Sequence, residues 1–233
     1  MEERSMPAAG SSSGSGRFVV WLHGLGDCGS ANEFIADHFS AAAFSAARWA
    51  FPTAPTAPKS VRDEEDVLRA VQIVHAMIDM EAAAGTNPED VFVFGLSQGG
   101  ALSIASVLLY PKALGGCAVF SGFLPFNSSS FAARVTDDAK KAPILWIHGG
   151  ADSLIPIQEG QDGVKFLRGL GMSCEFKAYD RLGHTLAPYE LDYCERWASE
   201  NILNDEHGQS LKMKKGGRQG SKFFCGAFSF LSK

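Results

Sequence analysis

The sequence predicts an α/β fold, in which a mostly parallel central sheet carries helices on both faces. Three observations support it: short apolar runs that suit buried strands, helical periodicity between those runs, and their alternation along the chain. Strands that alternate with helices pair in parallel, because each helix returns the chain through a right-handed crossover. The 233 residues, 45% of them hydrophobic, fit one sizeable domain with a packed core.

Six strands are predicted from runs that are typical of strands buried on both faces of a parallel sheet. They lie at residues 18–22, 49–51, 91–94, 117–120, 144–147 and 174–179. The last run alternates between polar and apolar residues, which predicts a position near an edge of the sheet.

Four helices are predicted between or after these strands, at residues 63–84, 98–109, 158–170 and 186–203. An apolar stripe at spacings of three and four marks the first of them and consists of Val67, Val71, Val74 and Ile78. The second helix ends at a proline and the third at glycines, which are common helix terminators.

The two ends of the chain differ in composition from residues 17–203, which we expect to form the folded domain. Residues 1–16 are rich in Ser and Gly and lack the apolar run of a signal peptide, which predicts a flexible leader. Residues 204–233 predict a basic, flexible tail. The alternative is a weak contact of this tail with an anionic membrane surface, with Cys225 acylated. Equal flotation of full-length and tail-deleted protein with liposomes would exclude that contact.

Charge and cysteine usage exclude several classes of protein. The net charge of −5 argues against a nucleic-acid partner, and no stretch of about 18 apolar residues could span a membrane. The five cysteines are scattered and form no C-x-x-C pair, which predicts free thiols in a reducing compartment. The metal-hydrolase motif H-E-x-x-H is absent, so no metal site is predicted. We expect a cytoplasmic protein, membrane-associated in part if the tail binds lipid.

A serine between glycines follows the third predicted strand and precedes a helix. Residues 95–99 read GLSQG and match G-x-S-x-G, a motif that requires this strand-to-helix context. The glycines are needed because the sharp turn leaves no room for side chains beside the serine. The sequence therefore predicts Ser97 as a nucleophile, and the alternative is a tight glycine-rich turn with an incidental serine.

Two further residues complete the predicted catalytic group, because a serine hydroxyl needs a base. Among the six histidines, His184 lies between the last strand and the last helix, at the carboxyl edge where open α/β sheets place active sites. Asp152 follows the fifth strand at the same edge, and a buried carboxylate there would hold the base in its tautomer. The order Ser97, Asp152, His184 is that of α/β-hydrolases and predicts this fold. The alternatives are a loop histidine bonded to backbone and an ordinary turn aspartate.

The negative oxygen of a tetrahedral intermediate needs hydrogen-bond donors that are already in place. The backbone N–H of Gln98, directly after the nucleophile, is one candidate. The N–H of Leu25, in the loop after the first strand, is the other, and the alternative there is a plain turn.

Five motifs occur in order along residues 17–203. They are HGLGD at 23–27, FPTAP at 51–55, GLSQGGA at 95–101, GGAD at 149–152 with Ile155-Pro156, and GHT at 183–185. Together they resemble the acyl-protein thioesterase and lysophospholipase-like carboxylesterase family. The resemblance implies a cytosolic serine enzyme that removes acyl groups from protein thioesters, hydrolyses lysophospholipids or small esters, and needs no cofactor. Its expected partners are acylated proteins or small acyl esters.

One family stretch, which contains N-G-G and lies near the acyl pocket, has no counterpart here, where residues 58–62 lead directly into an acidic helix start. Preference between thioesters and oxygen esters and the acyl chain length therefore stay open, as does the oligomeric state. A long acyl chain would need an apolar groove, for which Leu25, Leu154 and Leu186 are candidates. The alternative function is a ligand-binding or receptor protein on a hydrolase scaffold with an altered pocket.

Overall fold

A single parallel sheet organises the protein. The computed structural model describes residues 16–54, 63–126 and 128–216, with the last helix beyond Leu203 described as backbone only. Within these ranges, six parallel strands pair in the order β2-β1-β3-β4-β5-β6. They are β1 (Phe18–Leu22), β2 (Arg48–Ala50), β3 (Val91–Leu96), β4 (Gly116–Phe120), β5 (Ile144–Gly149) and β6 (Cys174–Tyr179). The predicted α/β class is confirmed, and β6 lies at an edge of the sheet as its alternating pattern predicts.

The strands are apolar because helices cover both faces of the sheet. Every residue of β1, β4 and β5 is buried. Alternate side chains enter two separate cores: Val20 and Val93 belong to one, and Val19 and Phe92 belong to the other. This two-sided burial removes the polar alternation that a half-exposed strand would show.

In the part of the chain that the structure describes, five α-helices pack on this sheet. They are α1 (Glu64–Ala83), α2 (Gln98–Leu109), α3 (Ser128–Ala132), α4 (Ile157–Gly169) and α5 (Pro188–Gly216). Apolar residues of α1, α2 and α4 fill the first core, whereas Leu191, Cys194 and Trp197 of α5 fill the second. Asp63 caps α1 by accepting the Asp66 backbone N–H at 3.0 Å, which explains why the helix begins there.

Several features differ from the prediction. The sequence did not predict α3 or the 3-10 helices at Ser30–His38, Ala42–Phe44, Pro88–Asp90 and Ala139–Lys141. Helix α5 continues to Gly216 instead of ending at residue 203, because no proline interrupts this stretch and good helix formers such as Lys212 occur in it. The predicted boundaries of leader, domain and tail stay predictions, and residues 1–15 and 217–233, including Cys225, lie outside the described residues.

The described cysteines, Cys28, Cys117, Cys174 and Cys194, are free thiols. Burial raises the pKa of Cys117 and Cys194 well above that of an ordinary thiol, which keeps both protonated at neutral pH. Within the described ranges, no helix combines the length and the apolar character that crossing a bilayer requires.

Candidate active site

The turn between β3 and α2 holds Ser97 in a strained conformation. Ser97 has φ 57° and ψ −119°, a region that residues with a side chain seldom adopt. Its backbone N–H donates to the carbonyl of Phe120 at 2.8 Å, so the end of β4 fixes the turn. Strain of this kind persists only where the surrounding structure imposes it, and it occurs preferentially at functional sites.

The glycines around Ser97 are required by the close approach of α2 to the sheet. A Cβ atom on Gly95 would lie 2.5 Å from the carbonyl carbon and oxygen of Gly99. A Cβ atom on Gly99 would lie 2.0 Å from the carbonyl oxygen of Leu22, at the end of β1. Both contacts are with backbone atoms, which cannot rotate away, so the spacing of these glycines follows from packing.

The structure brings Ser97, His184 and Asp152 together at the carboxyl edge of the sheet. His184 Nε2 lies 2.9 Å from Ser97 Oγ, and His184 Nδ1 lies 2.6 Å from Asp152 Oδ2. Because Nδ1 faces a carboxylate, it carries the proton of the ring and donates a hydrogen bond to Asp152, while Nε2 accepts a hydrogen bond from the Ser97 hydroxyl. These residues follow three different strands, β3, β5 and β6, whose carboxyl ends lie at the same edge of the sheet, with β4 between β3 and β5.

The environment of Asp152 keeps it ionised. Burial raises the pKa of Asp152. Hydrogen bonds from His184 and from the backbone N–H groups of Ile155 and Leu154 lower it by more than burial raises it, so the pKa lies below the ordinary value. The two backbone donors lie 2.8 and 2.9 Å from Oδ1, respectively. A fixed carboxylate in this position stabilises a protonated His184.

The two candidate donors to the negative oxygen flank Ser97. Gln98 is the first residue of α2, and Gly24, which precedes Leu25, is so close that its Cβ would lie 3.5 Å from the Cβ of Ser97. His23 secures this loop, since its Nδ1–H donates to the Gly24 carbonyl at 2.8 Å and its Nε2 accepts the Ala54 N–H at 3.1 Å. The roles of Gln98 and Leu25 stay predictions.

A cavity of about 470 Å³ adjoins the loop at residues 23–27 and the start of α2. Leu25 lines it, but Leu154 and Leu186 do not. Leu154 is exposed and Leu186 packs against the second core, so their predicted contact with substrate stays a prediction. Helix α1 supplies a wall of the cavity that was not predicted from the sequence. The sequence feature that could have indicated this wall is Ile73, an exposed apolar residue outside the buried stripe of α1.

The contacts of His148, the buried histidine near the end of β5, were also not predicted from the sequence. Its Nε2 lies 2.9 Å from the carbonyl oxygen of Ile155, in the loop that donates to Asp152. The available signal is a histidine that directly follows an apolar run, a pattern that places the residue without showing its bonds.

Comparison with known proteins identifies the family. Residues 56–201 match the sequence profile of the family described as Phospholipase/Carboxylesterase. The chain belongs to this family. The likeness inferred from the five motifs is therefore confirmed.

Three relatives in or near this family illustrate the range of similarity. A rice (Oryza sativa subsp. japonica) protein named "Probable inactive carboxylesterase" is 70% identical over 218 residues, covering 84% of this chain and 88% of the relative. Carboxylesterase SOBER1 of Arabidopsis thaliana is 47% identical over 207 residues, which cover 79% of this chain and 90% of SOBER1. Its crystal structure has a TM-score of 0.76 and covers 80% of this chain and 99% of that chain. Acyl-protein thioesterase 1 of Schizosaccharomyces pombe is 32% identical over 190 residues, which cover 72% of this chain and 84% of the thioesterase.

Proposed function

We propose that this protein is a serine hydrolase that cleaves carboxylic esters and acyl thioesters, with Ser97 as nucleophile, His184 as base and Asp152 as the acid behind the base. The observation that carries the proposal is the continuous hydrogen-bonded chain from Ser97 Oγ through His184 to Asp152, with lengths of 2.9 and 2.6 Å. Membership of the Phospholipase/Carboxylesterase family supports it, as do relatives named carboxylesterase and acyl-protein thioesterase.

In the proposed reaction, Ser97 Oγ attacks the acyl carbon while His184 Nε2 takes the hydroxyl proton. The backbone N–H groups of Leu25 and Gln98 donate to the negative oxygen of the tetrahedral intermediate. His184 then gives its proton to the leaving alcohol or thiol, which leaves an ester of Ser97. A water molecule, deprotonated by His184, attacks this ester. His184 then returns the proton to Ser97 Oγ as the bond to the acyl group breaks and the carboxylic acid leaves.

The cavity beside Gln98 is the candidate site for the acyl group. Its apolar wall includes Ile73, Val74 and Leu102, and its volume of about 470 Å³ lies within the range of small-molecule sites. Lysophospholipids and palmitoylated proteins are candidate substrates with long acyl chains. Comparison of KM for short and long acyl esters in Ile73→Ala and Leu154→Ala tests the location. We expect only Ile73→Ala to change the preference for chain length, and the opposite result would place the acyl group at Leu154.

Fluorophosphonate labelling tests the assignment of the nucleophile. We expect wild-type protein to become labelled at Ser97 and Ser97→Ala to remain unlabelled. We also expect kcat/KM to fall at least about 1000-fold, because removal of a triad serine leaves only residual catalysis. Ser45→Ala, at an exposed serine, is the matched control and should retain wild-type labelling and turnover. Turnover of the wild-type kind in Ser97→Ala would contradict the assignment.

A second candidate function is that of a ligand-binding protein that has lost turnover. The observation that favours it is the name "Probable inactive carboxylesterase" of the relative that is 70% identical. The same probe separates the two candidates. Binding of acyl esters without labelling of Ser97 in folded protein would support this second function and contradict the first.

A further inference from the structure

The imidazole of His148 is completely buried beside the proposed catalytic carboxylate. His148 lies in β5, and no part of its side chain is exposed. Its Nε2 is 3.8 Å from Asp152 Oδ2, which is too long for a hydrogen bond. A buried polar ring is costly unless both nitrogens have partners, so the bonds of this ring indicate what it does.

Two hydrogen bonds determine the tautomer of His148. The indole N–H of Trp146 donates to Nδ1 at 3.4 Å, and an indole nitrogen cannot accept a hydrogen bond. The proton of the neutral ring is therefore on Nε2, which donates to the Ile155 carbonyl at 2.9 Å. Burial lowers the pKa of His148 more than the Ile155 carbonyl and Asp152 raise it. The ring therefore stays neutral and leaves the charge of Asp152 to His184.

The same residue that accepts from His148 donates to Asp152. The backbone N–H of Ile155 lies 2.8 Å from Asp152 Oδ1, and the other oxygen of that carboxylate accepts from His184. Pro156 follows Ile155 and restricts its backbone to extended conformations. With its carbonyl held by His148 and its dihedral angles restricted, Ile155 has one orientation in which to present its N–H.

Helix α4 is shaped to accommodate this arrangement. A Cβ atom on Gly160 would lie 2.6 Å from His148 Nδ1 and 2.8 Å from Trp146 Nε1. A Cβ atom on Gly163 would lie 2.5 Å from the six-membered ring of Trp146. A glycine in a helix interior reduces the stability of the helix by about 1 kcal/mol relative to alanine. The glycines at both contacts therefore allow close packing of these rings at a cost in helix stability.

We propose that His148 is a positioning residue for the proposed catalytic pair: its Nε2–H fixes Ile155, and Ile155 fixes the carboxylate of Asp152 against His184. The inference rests on the proposed function, because it assigns the orientation of that function's acid and base. His148 itself contacts no reacting atom.

Two amide variants separate the donor of His148 from its acceptor. His148→Gln places an amide N–H near the position of Nε2 and preserves the bond to Ile155, whereas His148→Asn reaches only as far as Nδ1 and removes that bond. The readout is the low-field proton NMR signal of the His184 Nδ1–H, which reports the short bond to Asp152 directly. We expect His148→Gln to keep this signal and His148→Asn to lose or shift it. We also expect kcat in His148→Asn to fall between about 10-fold and 100-fold at unchanged KM, since a misplacement of about 1 Å costs on the order of 100-fold.

The alternative is that His148 only fills space in the core. In that case both variants would lower the thermal stability alike and leave the His184 signal in place, which would overturn the proposal. A measurement on the wild type covers the case in which a variant does not fold. Nitrogen NMR of His148 at pH 7 should show the neutral ring with its proton on Nε2, and the other tautomer or a charged ring would also overturn the proposal. Failure of the proposed function would instead appear as absence of fluorophosphonate labelling in the wild type. The two failures can be told apart, because the NMR signals can be observed whether or not Ser97 is labelled.

Discussion

Glu190 is a buried carboxyl whose ionisation should weaken the fold. It lies in the first turn of α5 with no exposed surface. Its Oε2 accepts the backbone N–H of Ala187 at 2.8 Å, whereas Oε1 has no hydrogen-bond partner among the described residues. Burial raises the pKa of Glu190 to about 7, and the Ala187 N–H lowers it by less. The folded protein therefore holds a proton that an ordinary glutamate would release.

The direction and size of the effect on stability follow from this pKa. Between the ordinary value of 4.5 and about 7, the folded state binds more protons at Glu190 than the unfolded chain does. The free energy of unfolding therefore falls as the pH rises through this window and levels off above it. The gap between the two pKa values corresponds to roughly 3 kcal/mol at the upper end of the window.

The variant Glu190→Gln isolates this contribution, because an amide oxygen still accepts the Ala187 N–H and the side chain no longer ionises. We expect its free energy of unfolding, relative to that of the wild type, to increase by about 2 to 3 kcal/mol between pH 5 and pH 8. Urea unfolding followed by tryptophan fluorescence at pH values across this range measures it. Glu200→Gln, which removes an exposed carboxylate from the same helix, controls for the loss of one negative charge. A difference between Glu190→Gln and the wild type that does not change with pH would refute the reasoning.

Two further substitutions test packing and a partly buried hydrogen bond. Gly99→Ala should destabilise the protein by about 3 kcal/mol or more, because its Cβ would lie 2.0 Å from the Leu22 carbonyl oxygen. Only a shift of the backbone could relieve this clash, and such a shift is costly. Gly169→Ala, with nothing within 4 Å, is its control and should stabilise by about 0.5 to 1 kcal/mol in the same unfolding assay. Tyr110→Phe should cost about 1.5 to 3 kcal/mol in that assay, since it removes a 2.8 Å hydrogen bond to the Asp79 carboxylate, and an unchanged midpoint would show that this bond contributes nothing.

The sheet could be predicted because burial on both faces leaves an unambiguous mark on the sequence. Every residue of β1 and β4 is buried, so each appears as an unbroken apolar run. The proximity of Ser97 and His184 could be predicted for a related reason, since all parallel strands end at the same edge of their sheet. Neither inference needs any knowledge of how individual side chains pack.

The features that the sequence did not predict depend on such packing. The 3-10 helix at Ser30–His38 places Ile35 and, just beyond its end, Phe39 in the second core, where the Phe39 ring stacks on Phe94 with a centroid distance of 5.8 Å. The position of His148 could be predicted, but its bond to Ile155 exists only because the loop between them turns back over the ring. Such contacts join residues through the folded chain and leave no periodic pattern.

The shortened stretch that the sequence predicts at residues 58–62 bears on the proposed oxyanion donors more than on the proposed triad. Ala54, which donates to His23, and Thr53, whose hydroxyl accepts the Gly29 N–H at 2.9 Å, lie a few residues before the shortened stretch. Both bonds lie around the loop that carries Leu25, whereas His184 contacts Ser97 in the turn after β3 and Asp152 in the loop after β5. A change in the shortened stretch would therefore weaken stabilisation of the negative oxygen while the hydrogen bond from Ser97 to His184 persists. Inactivity of that origin would slow the proposed formation of acyl-Ser97 without changing the hydrogen bonds among Ser97, His184 and Asp152, so the geometry of these three residues alone would not set the rate of turnover.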